Sequence, residues 1–229
     1  MKVVLVGATG AIGSTILNHC LRRPEITSIV TISRNPLPSS LCIPYSARLE
    51  ETIIPDFGAL EAVPDTTWAK MIDADALVWA MGTYDLNEDV NRKYPLAFQE
   101  NLAKRLERGE KEERFRFVLL GGAFTEPDQE RRLFVLEEQR RIKGLLQVET
   151  LAFAEARSGV WDAIVFRPGG ILFGGNTLWN KVVESLFGTG LVIRSEELGA
   201  CLADLVVAGS KEAVVGNLEL VERGRRMLG

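Results

Sequence analysis

The first thirteen residues constrain the fold of this chain most strongly. Residues 2–6 form a short apolar run rich in valine, and glycines follow directly at Gly7, Gly10 and Gly13 with the spacing G-x-x-G-x-x-G. Apolar residues then recur at helical spacing through residues 16–21. The pattern predicts a strand, a tight turn and a helix in immediate succession.

The chemistry of such a turn favours a phosphate-bearing ligand. Gly7 allows the tight turn, Gly10 lets backbone approach a pyrophosphate without a Cβ in the way, and Gly13 lets the helix pack closely on the sheet. The helix then offers unpaired N–H groups and a positive dipole end. The spacing differs from the usual G-x-G-x-x-G, so a purely structural turn is the alternative. Its position directly after a strand favours dinucleotide binding.

Composition narrows the class of protein. The chain has 229 residues, of which 46% are hydrophobic and 25% charged, which suits a single α/β domain with a substantial core. The net charge of −4 argues against a general attraction to nucleic acid. No window approaches a membrane span. Cys20, Cys42 and Cys201 are scattered without metal-ligand spacing, which favours a reducing, cytoplasmic compartment. With His19 as the only histidine, a histidine-rich metal site and a histidine-based triad are excluded.

A second predicted strand, residues 28–32, leads into the pair Ser33-Arg34. A doubly wound fold selects its cofactor at this position. An acidic residue would accept the ribose hydroxyls of NAD, whereas an arginine pairs with the 2′-phosphate of NADP. The sequence therefore predicts NADP in preference to NAD, and a solvated loop arginine is the alternative.

Strands and helices alternate along the rest of the chain. Further strands are predicted at residues 52–54, 75–80, 115–120, 161–166 and, at an edge, 214–221. Helices are predicted at 91–108, at 129–157 and twice between 177 and 209. The alternation predicts an α/β fold, a doubly wound Rossmann-type parallel sheet of about six to seven strands with helices on both faces. Residues 170–229 are predicted to add a small C-terminal helical cap over the crevice of this single domain.

The carboxyl ends of parallel strands meet at one edge of a sheet, which places several segments at a common crevice. Ala80, Met81 and Gly82 follow the fourth strand, and their small size suits close approach to a cofactor. Asp56 follows the third strand, and two alternative roles are open for its side chain. It hydrogen-bonds the adenine edge, or it caps a short helix that starts at Phe57.

An ordered set of short segments resembles the extended or atypical short-chain dehydrogenase/reductase superfamily, in particular its NmrA-like and Tat-interacting-protein-like oxidoreductase branch with fungal relatives. The segments are residues 6–13, Ser33-Arg34, Asp56-Phe57, residues 81–83, Lys143-Gly144 and residues 165–169. They span about 160 residues in the order that the family shows.

The resemblance implies a cofactor site and its residues. The pyrophosphate contacts would be Gly7, Thr9, Gly10, Ala11, Ile12 and Gly13. The remaining contacts would be Ser33 and Arg34 at the 2′-phosphate, Asp56 near adenine, Ala80, Met81 and Gly82 near the nicotinamide ribose, and Arg167, Pro168 and Gly169 after the sixth strand. Lys143 matches the lysine of the family's Tyr-x-x-x-Lys pair, which holds the nicotinamide ribose.

The catalytic half of the family pattern is altered in this chain. Gln139 stands where the family has the tyrosine that protonates the substrate, and an amide cannot act as a general acid. Gly121-Gly122 stand where the family often shows two serines, and no tyrosine occurs between residues 95 and 229. The candidates for a replacement are Tyr84, Tyr94, Thr125, Asp128 and Lys143 itself. Packing is the alternative for both tyrosines.

These observations predict an NADP-dependent oxidoreductase that reduces a small or medium apolar carbonyl, alkene or imine. Two alternatives stay open, a redox-silent NADP-binding regulatory or sensor protein and a non-redox isomerase or cyclase that reuses the crevice. Trp179 and Phe187 either line an apolar substrate pocket or simply pack. The apolar stripes of the long helices allow a homodimer face, although packing on the sheet explains them equally well.

Overall fold

Seven parallel strands form the central sheet of the protein. The computed structural model describes residues 1–38, 47–83, 85–108, 113–174 and 177–229. The strands of this sheet are β1 (Lys2–Val6), β2 (Ser28–Ser33), β3 (Leu49–Ile53), β4 (Ala76–Trp79), β5 (Phe115–Leu120), β6 (Trp161–Arg167) and β9 (Val214–Gly216). Their order is β3-β2-β1-β4-β5-β6-β9, and every pairing is parallel. The order reverses between β1 and β4, where an open α/β sheet forms its ligand crevice.

Helices cover both faces of the sheet. Within the described ranges they are α1 (Ala11–Arg22), α2 (Asp65–Ile72), α3 (Tyr94–Leu106), α4 (Glu137–Glu155), α5 (Leu178–Phe187), α6 (Ser195–Ala208) and α7 (Asn217–Leu228). A short 3-10 turn (Leu60–Ala62) precedes α2, and a π-helical turn (Asp89–Lys93) runs into α3. β7 (Gly170–Leu172) and β8 (Val192–Arg194) pair separately in a small parallel sheet. Across these ranges, no helix is both long and apolar enough to cross a membrane.

Alternation along β1 shows how the sheet is buried on both sides. Val3 and Leu5 lie in one apolar core with residues of α1 and α6, whereas Val4 and Val6 lie in a second core with Trp68 of α2 and Phe98 of α3. Burial on both faces explains why this strand reads as a continuous apolar run. The predicted fold class, a doubly wound parallel sheet, is confirmed.

The helix predicted over residues 129–157 begins only at Glu137, and residues 121–136 form an irregular connection instead. Local side-chain bonds compete with the helix there. The amide of Asp128 donates to Oε1 of Glu126 at 3.1 Å, and the amide of Glu130 donates to Oδ1 of Asp128 at 2.9 Å. Such bonds give the backbone an alternative to helical pairing.

The edge strand predicted over residues 214–221 is wrong in its second half. β9 stops at Gly216, and Asn217 begins α7. The Asn217 side chain accepts from the amide of Gly169 at 2.6 Å and donates to the carbonyls of Thr189 and Val192 at 2.7 and 3.0 Å. Those bonds turn the chain out of the sheet. A smaller shift affects β3, which spans residues 49–53 rather than 52–54.

The segment predicted as a cap divides into two parts. α6 packs into the core beside α1, and β9 joins the central sheet, so residues 195–229 belong to the main body. β7, α5 and β8 lie outside the central sheet, although Ile193 of β8 belongs to the same core as residues of α1 and α6. A cap over the crevice stays a prediction for this second part.

Candidate functional site

The turn between β1 and α1 is closely packed. Gly7 has φ +89°, a left-handed conformation that favours glycine, and a Cβ there would lie 2.9 Å from the backbone of Ala80 and Met81. A Cβ on Gly13 would lie 2.0 Å from the carbonyl oxygen of Gly7. Gly13 therefore lets α1 pack against the turn itself, and the turn rests on the end of β4.

The amino end of α1 is available to an anion. Gly10 caps the helix without a side chain, and Thr9, Gly10 and Ala11 are exposed. The amides of residues 11–13 belong to the first turn, whose N–H groups lack intrahelical acceptors. They bond to no backbone carbonyl of the described ranges, and the turn contains no acidic residue. This cradle fits a pyrophosphate.

Ser33 and Arg34 differ in their surroundings at the end of β2. Ser33 is buried, and its hydroxyl donates to the carbonyl of Asn35 at 2.6 Å, so it shapes the turn. Arg34 is exposed, and its side chain forms no hydrogen bond or ion pair with the part of the chain that the structure describes. Among the described residues, no partner of the guanidinium competes with an anionic ligand.

Asp56 closes a turn instead of capping a helix. Its Oδ1 accepts from the amide of Gly58 at 2.7 Å, and helical structure begins only at residue 60. The carboxylate is exposed, so it remains accessible to a ligand. Tyr94 stacks on Phe57 with ring centroids 6.3 Å apart, which is the packing alternative for this tyrosine. Tyr84 lies outside the described residues.

A buried asparagine holds the segment that follows β4. The indole N–H of Trp79 donates to the carbonyl of Met81 at 3.0 Å. Asn91, in the π-helical turn, accepts from the amide of Thr83 at 2.9 Å and donates to the Thr83 hydroxyl at 2.9 Å and to the carbonyl of Asp85 at 3.1 Å. Asn91 was not among the predicted site residues, although a polar residue at the start of an amphipathic helix was a usable signal.

Two adjoining cavities open at this edge of the sheet. The first, of about 40 Å³, is lined by apolar residues and by Met81, Gly82, Asn91, Gly121, Thr125, Lys143 and Gln147. The second, of about 230 Å³, is lined by residues 121–125, Leu136, Gln139, Arg140, Lys143 and residues 168–171. The structure thus brings together Gly82, Gln139, Lys143, Pro168 and Gly169, which were predicted from distant parts of the sequence.

Polar atoms face these cavities from buried positions. Burial lowers the pKa of Lys143, which lines both of them. Thr125 Oγ1 and Gln147 Oε1 are buried and form no hydrogen bond within the described ranges. Buried polar atoms are normally paired, so these two suit a bound polar group or water. Asp128, another candidate acid, is exposed in its turn and lines neither cavity.

Distant residues hold the connection from β5 to α4 in place. The Arg167 guanidinium donates to the carbonyls of Ala123 and Thr125, and the amide of Ala123 donates to the carbonyl of Pro168 at 2.7 Å. A Cβ on Gly144 would lie 1.6 Å from the carbonyl oxygen of Glu126, so α4 touches the loop directly. In the structure, Arg167 stabilises the connection through these hydrogen bonds. Its predicted contact with the cofactor stays a prediction.

The aromatic residues of α5 stand apart from both cavities. Trp179 is 72% exposed and Phe187 is 57% exposed. Neither lines the two cavities described above. The structure therefore shows neither of the two predicted roles, a pocket wall or a packed core.

The chain is similar in structure to several solved proteins, with low sequence identity to each. No family model matches, and no curated protein matches. A short-chain dehydrogenase/reductase from Saccharomyces cerevisiae is 16% identical with a TM-score of 0.65, covering 94% of each chain. A 3-oxoacyl-[acyl-carrier protein] reductase from Brucella melitensis is 17% identical with a TM-score of 0.65, covering 97% of this chain and 93% of the other. A 4-hydroxyisoleucine dehydrogenase mutant, complexed with NADH and succinate, is 17% identical with a TM-score of 0.68, covering 95% and 98%. The chain therefore shares the Rossmann-like α/β fold of these three proteins.

Proposed function

We propose that the protein is an NADP-dependent oxidoreductase acting on a small or medium apolar carbonyl, alkene or imine. One observation carries the proposal. Lys143, with a pKa lowered by burial, lines cavities that open beside Gly82 and Gly121 at the carboxyl ends of β4 and β5. The glycine turn after β1 opens at the same edge of the sheet. A nucleotide cradle and a polar cavity thus lie side by side, as a hydride-transfer site requires.

The residues of the chain divide the work between binding and chemistry. The amides at the start of α1 would hold the pyrophosphate, and Arg34 would pair with the 2′-phosphate. The bound nicotinamide would supply or accept the hydride. Lys143 would hold the nicotinamide ribose at the boundary of the two cavities. The 4-hydroxyisoleucine dehydrogenase neighbour was solved with NADH, so the preference for NADP rests on Arg34 alone.

Gln139 shapes the choice of substrate in this proposal. It lines the larger cavity and stands where the family that the sequence resembles has its tyrosine, but an amide cannot act as a general acid. An alkene or an iminium acceptor needs less acid assistance than a ketone, so Gln139 favours those substrates. Placement in the NmrA-like branch belongs to the proposal too, supported by Ser33-Arg34 and residues 81–83.

The same glutamine favours a second candidate, a redox-silent NADP-binding sensor. No acidic side chain and no histidine is found among the described residues that line the two cavities. A protein that retains the nucleotide cradle without a proton donor suits sensing. Retention of NADPH without turnover on hexanal, hexenal or a cyclic imine would select this candidate over the oxidoreductase.

The proposal also includes a cytoplasmic location and a homodimer. Cys20 and Cys201 are buried free thiols, and burial raises the pKa of each to about 12, so both are structural. Unpaired thiols of this kind support a reducing, cytoplasmic compartment. A homodimer through the long helices stays a prediction.

Titration with NADPH and NADH tests the cofactor assignment. Tryptophan fluorescence and thermal shift would follow binding to the wild-type protein and to Arg34→Asp. We expect NADPH affinity to fall about 100-fold in the variant, since a charge-assisted pair is replaced by repulsion, while NADH affinity changes little. Arg22→Asp, at an exposed position at the far end of α1, is the matched control. Equal binding of NADPH by wild type and Arg34→Asp would refute the NADP assignment.

A further inference from the structure

The side chains that line the larger cavity are basic, whereas the chain as a whole is acidic. The chain carries four more acidic than basic side chains, yet the described lining of the cavity includes Arg140 and Lys143 and no acidic residue. The rest of the wall is glycine, Thr125, Gln139 and apolar groups such as Phe124, Leu136 and Ile171. Such a wall combines an apolar body with a localised positive charge.

Arg140 supplies a charge that no acid of the described chain neutralises. Its Nε donates to the carbonyl of Phe124 at 2.9 Å, and its guanidinium lies 6.0 Å from the centre of the Phe124 ring. These contacts fix the side chain without an ion pair. Its neighbour Arg141 is different, because Arg141 is paired with Glu137 at 2.7 Å. The terminal nitrogens of Arg140 thus remain available to a ligand at the cavity.

Two further charged groups, Arg167 and Glu126, lie close to Arg140. Arg167 lies behind the loop, and its pKa is lowered by burial and, to a lesser degree, by the charge of Arg140, while Glu126 opposes this. Glu126 is committed elsewhere, since its carboxylate accepts from the amide of Asp128 at 3.1 Å and from Arg131 at 3.2 Å. An anion that enters the cavity therefore meets no nearby free carboxylate among the described residues.

We propose that the larger cavity binds a small apolar substrate bearing a carboxylate, and that Arg140 is the residue that recognises it. The proposal rests on the proposed function for the identity of this cavity as the substrate site. The glycine turn that would hold the pyrophosphate does not line the cavity, so the anion that Arg140 would bind there is not the pyrophosphate. A volume of about 230 Å³ suits an acid with a short chain of carbons. The substrate class narrows to oxo, unsaturated or imino derivatives of short monocarboxylic acids.

Calorimetric titration with hexanoate and hexanamide separates charge from shape, because the two probes share their apolar chain. We expect the wild-type protein to bind hexanoate about tenfold more tightly than hexanamide, as a charge-assisted hydrogen bond would produce. The ratio should fall to about one in Arg140→Gln and be largely retained in Arg140→Lys. Arg132→Gln, which alters an exposed arginine of the connection before α4, should leave the ratio unchanged.

Each titration is repeated with and without NADPH, which separates this proposal from the proposed function. Loss of NADPH binding with a retained hexanoate preference would overturn the oxidoreductase alone. Equal binding of both probes by the wild-type protein, or binding of neither, would overturn the carboxylate site. So would an unchanged ratio in Arg140→Gln. Inorganic phosphate that binds as tightly as hexanoate would show a general anion site and refute the apolar substrate.

Discussion

Two connections of the same sheet edge are built in different ways. Residues 7–10 join β1 to α1, and their shape follows from their own glycines, with φ +89° at Gly7. Residues 121–136 join β5 to α4, and contacts from residues outside the connection add to its own local side-chain bonds. The nucleotide side of the site is thus specified locally, whereas the substrate side is specified by tertiary structure.

The contacts of the longer connection make this difference concrete. Arg167 binds two of its carbonyls, Arg140 binds that of Phe124, and Gly144 touches that of Glu126. None of these partners lies within the connection itself. A substitution within residues 7–10 should therefore distort the first connection. A substitution outside residues 121–136 should be able to distort the second.

Gly144→Ala breaks the second connection from outside and carries the largest expected effect. The added Cβ would lie 1.6 Å from the carbonyl oxygen of Glu126, and rigid backbone on both sides leaves little room for adjustment. We expect the free energy of unfolding to fall by about 3 kcal/mol, at the upper end of typical overpacking costs. Urea denaturation measures the change.

Gly159→Ala is the matched control, because nothing lies within 4 Å of a Cβ at that position. It should leave the denaturation midpoint nearly unchanged. In folded Gly144→Ala, NADPH affinity should fall far less than in Arg34→Asp, since the glycine turn is untouched and the change affects the cofactor only through the adjacent Lys143. A variant as stable as the control would show that the second connection does not depend on this contact.

Gln139→Tyr sharpens the comparison by adding a proton donor on α4, directly after the second connection. The side chain at this position lines the larger cavity, so a tyrosine hydroxyl there could protonate a reduced carbonyl. We expect kcat for NADPH-dependent reduction of 2-oxohexanoate to rise about 100-fold, within the usual range for general acid catalysis. Loss of NADPH absorbance follows the reaction. An equal gain in Gln139→Phe would trace the effect to shape instead of the hydroxyl.

The smallest expected effect is the pH dependence of stability at Lys143. Burial holds its pKa in the folded protein below the ordinary value of 10.5, so the unfolded chain binds the proton more tightly. The charged form therefore destabilises the fold below the folded-state pKa, and the penalty fades as the pH rises toward 10.5. Lys143→Met should resist urea better than the wild type near neutral pH, with a difference that narrows on the alkaline side.

Urea denaturation at several pH values measures that difference. Lys211→Met, at an exposed position, should show no comparable trend with pH. A gap between Lys143→Met and wild type that stays constant from neutral to alkaline pH would mean that the lysine is equally protonated in both states.

The fold and the first connection could be predicted from the sequence because both depend on short-range patterns. Valine-rich strands, the spacing of Gly7, Gly10 and Gly13, and alternation of strand with helix were enough to predict the doubly wound sheet. The start of α4 was misplaced because side chains of Glu126 and Asp128 capture backbone amides that the helical pattern assigns to the helix.

The candidate site was predictable only in part for a related reason. Lys143 and Gly82 were found through short motifs, but the charge at Arg140 depends on the absence of an acidic partner among the described residues. Such an absence follows from the pairing of Arg141 with Glu137 and of Arg131 with Glu126, which only the folded chain reveals. The role of Asn91 was hidden in the same way, since its three bonds depend on how the segment after β4 folds back.

The side chain of Asn217 has a consequence for how the molecule can be handled. Its single amide gathers Gly169, Thr189 and Val192, and Gly169 lies in the wall of the larger cavity. The last helix is therefore part of the foundation of that wall. A truncation before residue 217, or a fusion that frays α7, would remove these hydrogen bonds and distort the cavity. None of the residues that line the cavity would have been deleted or substituted.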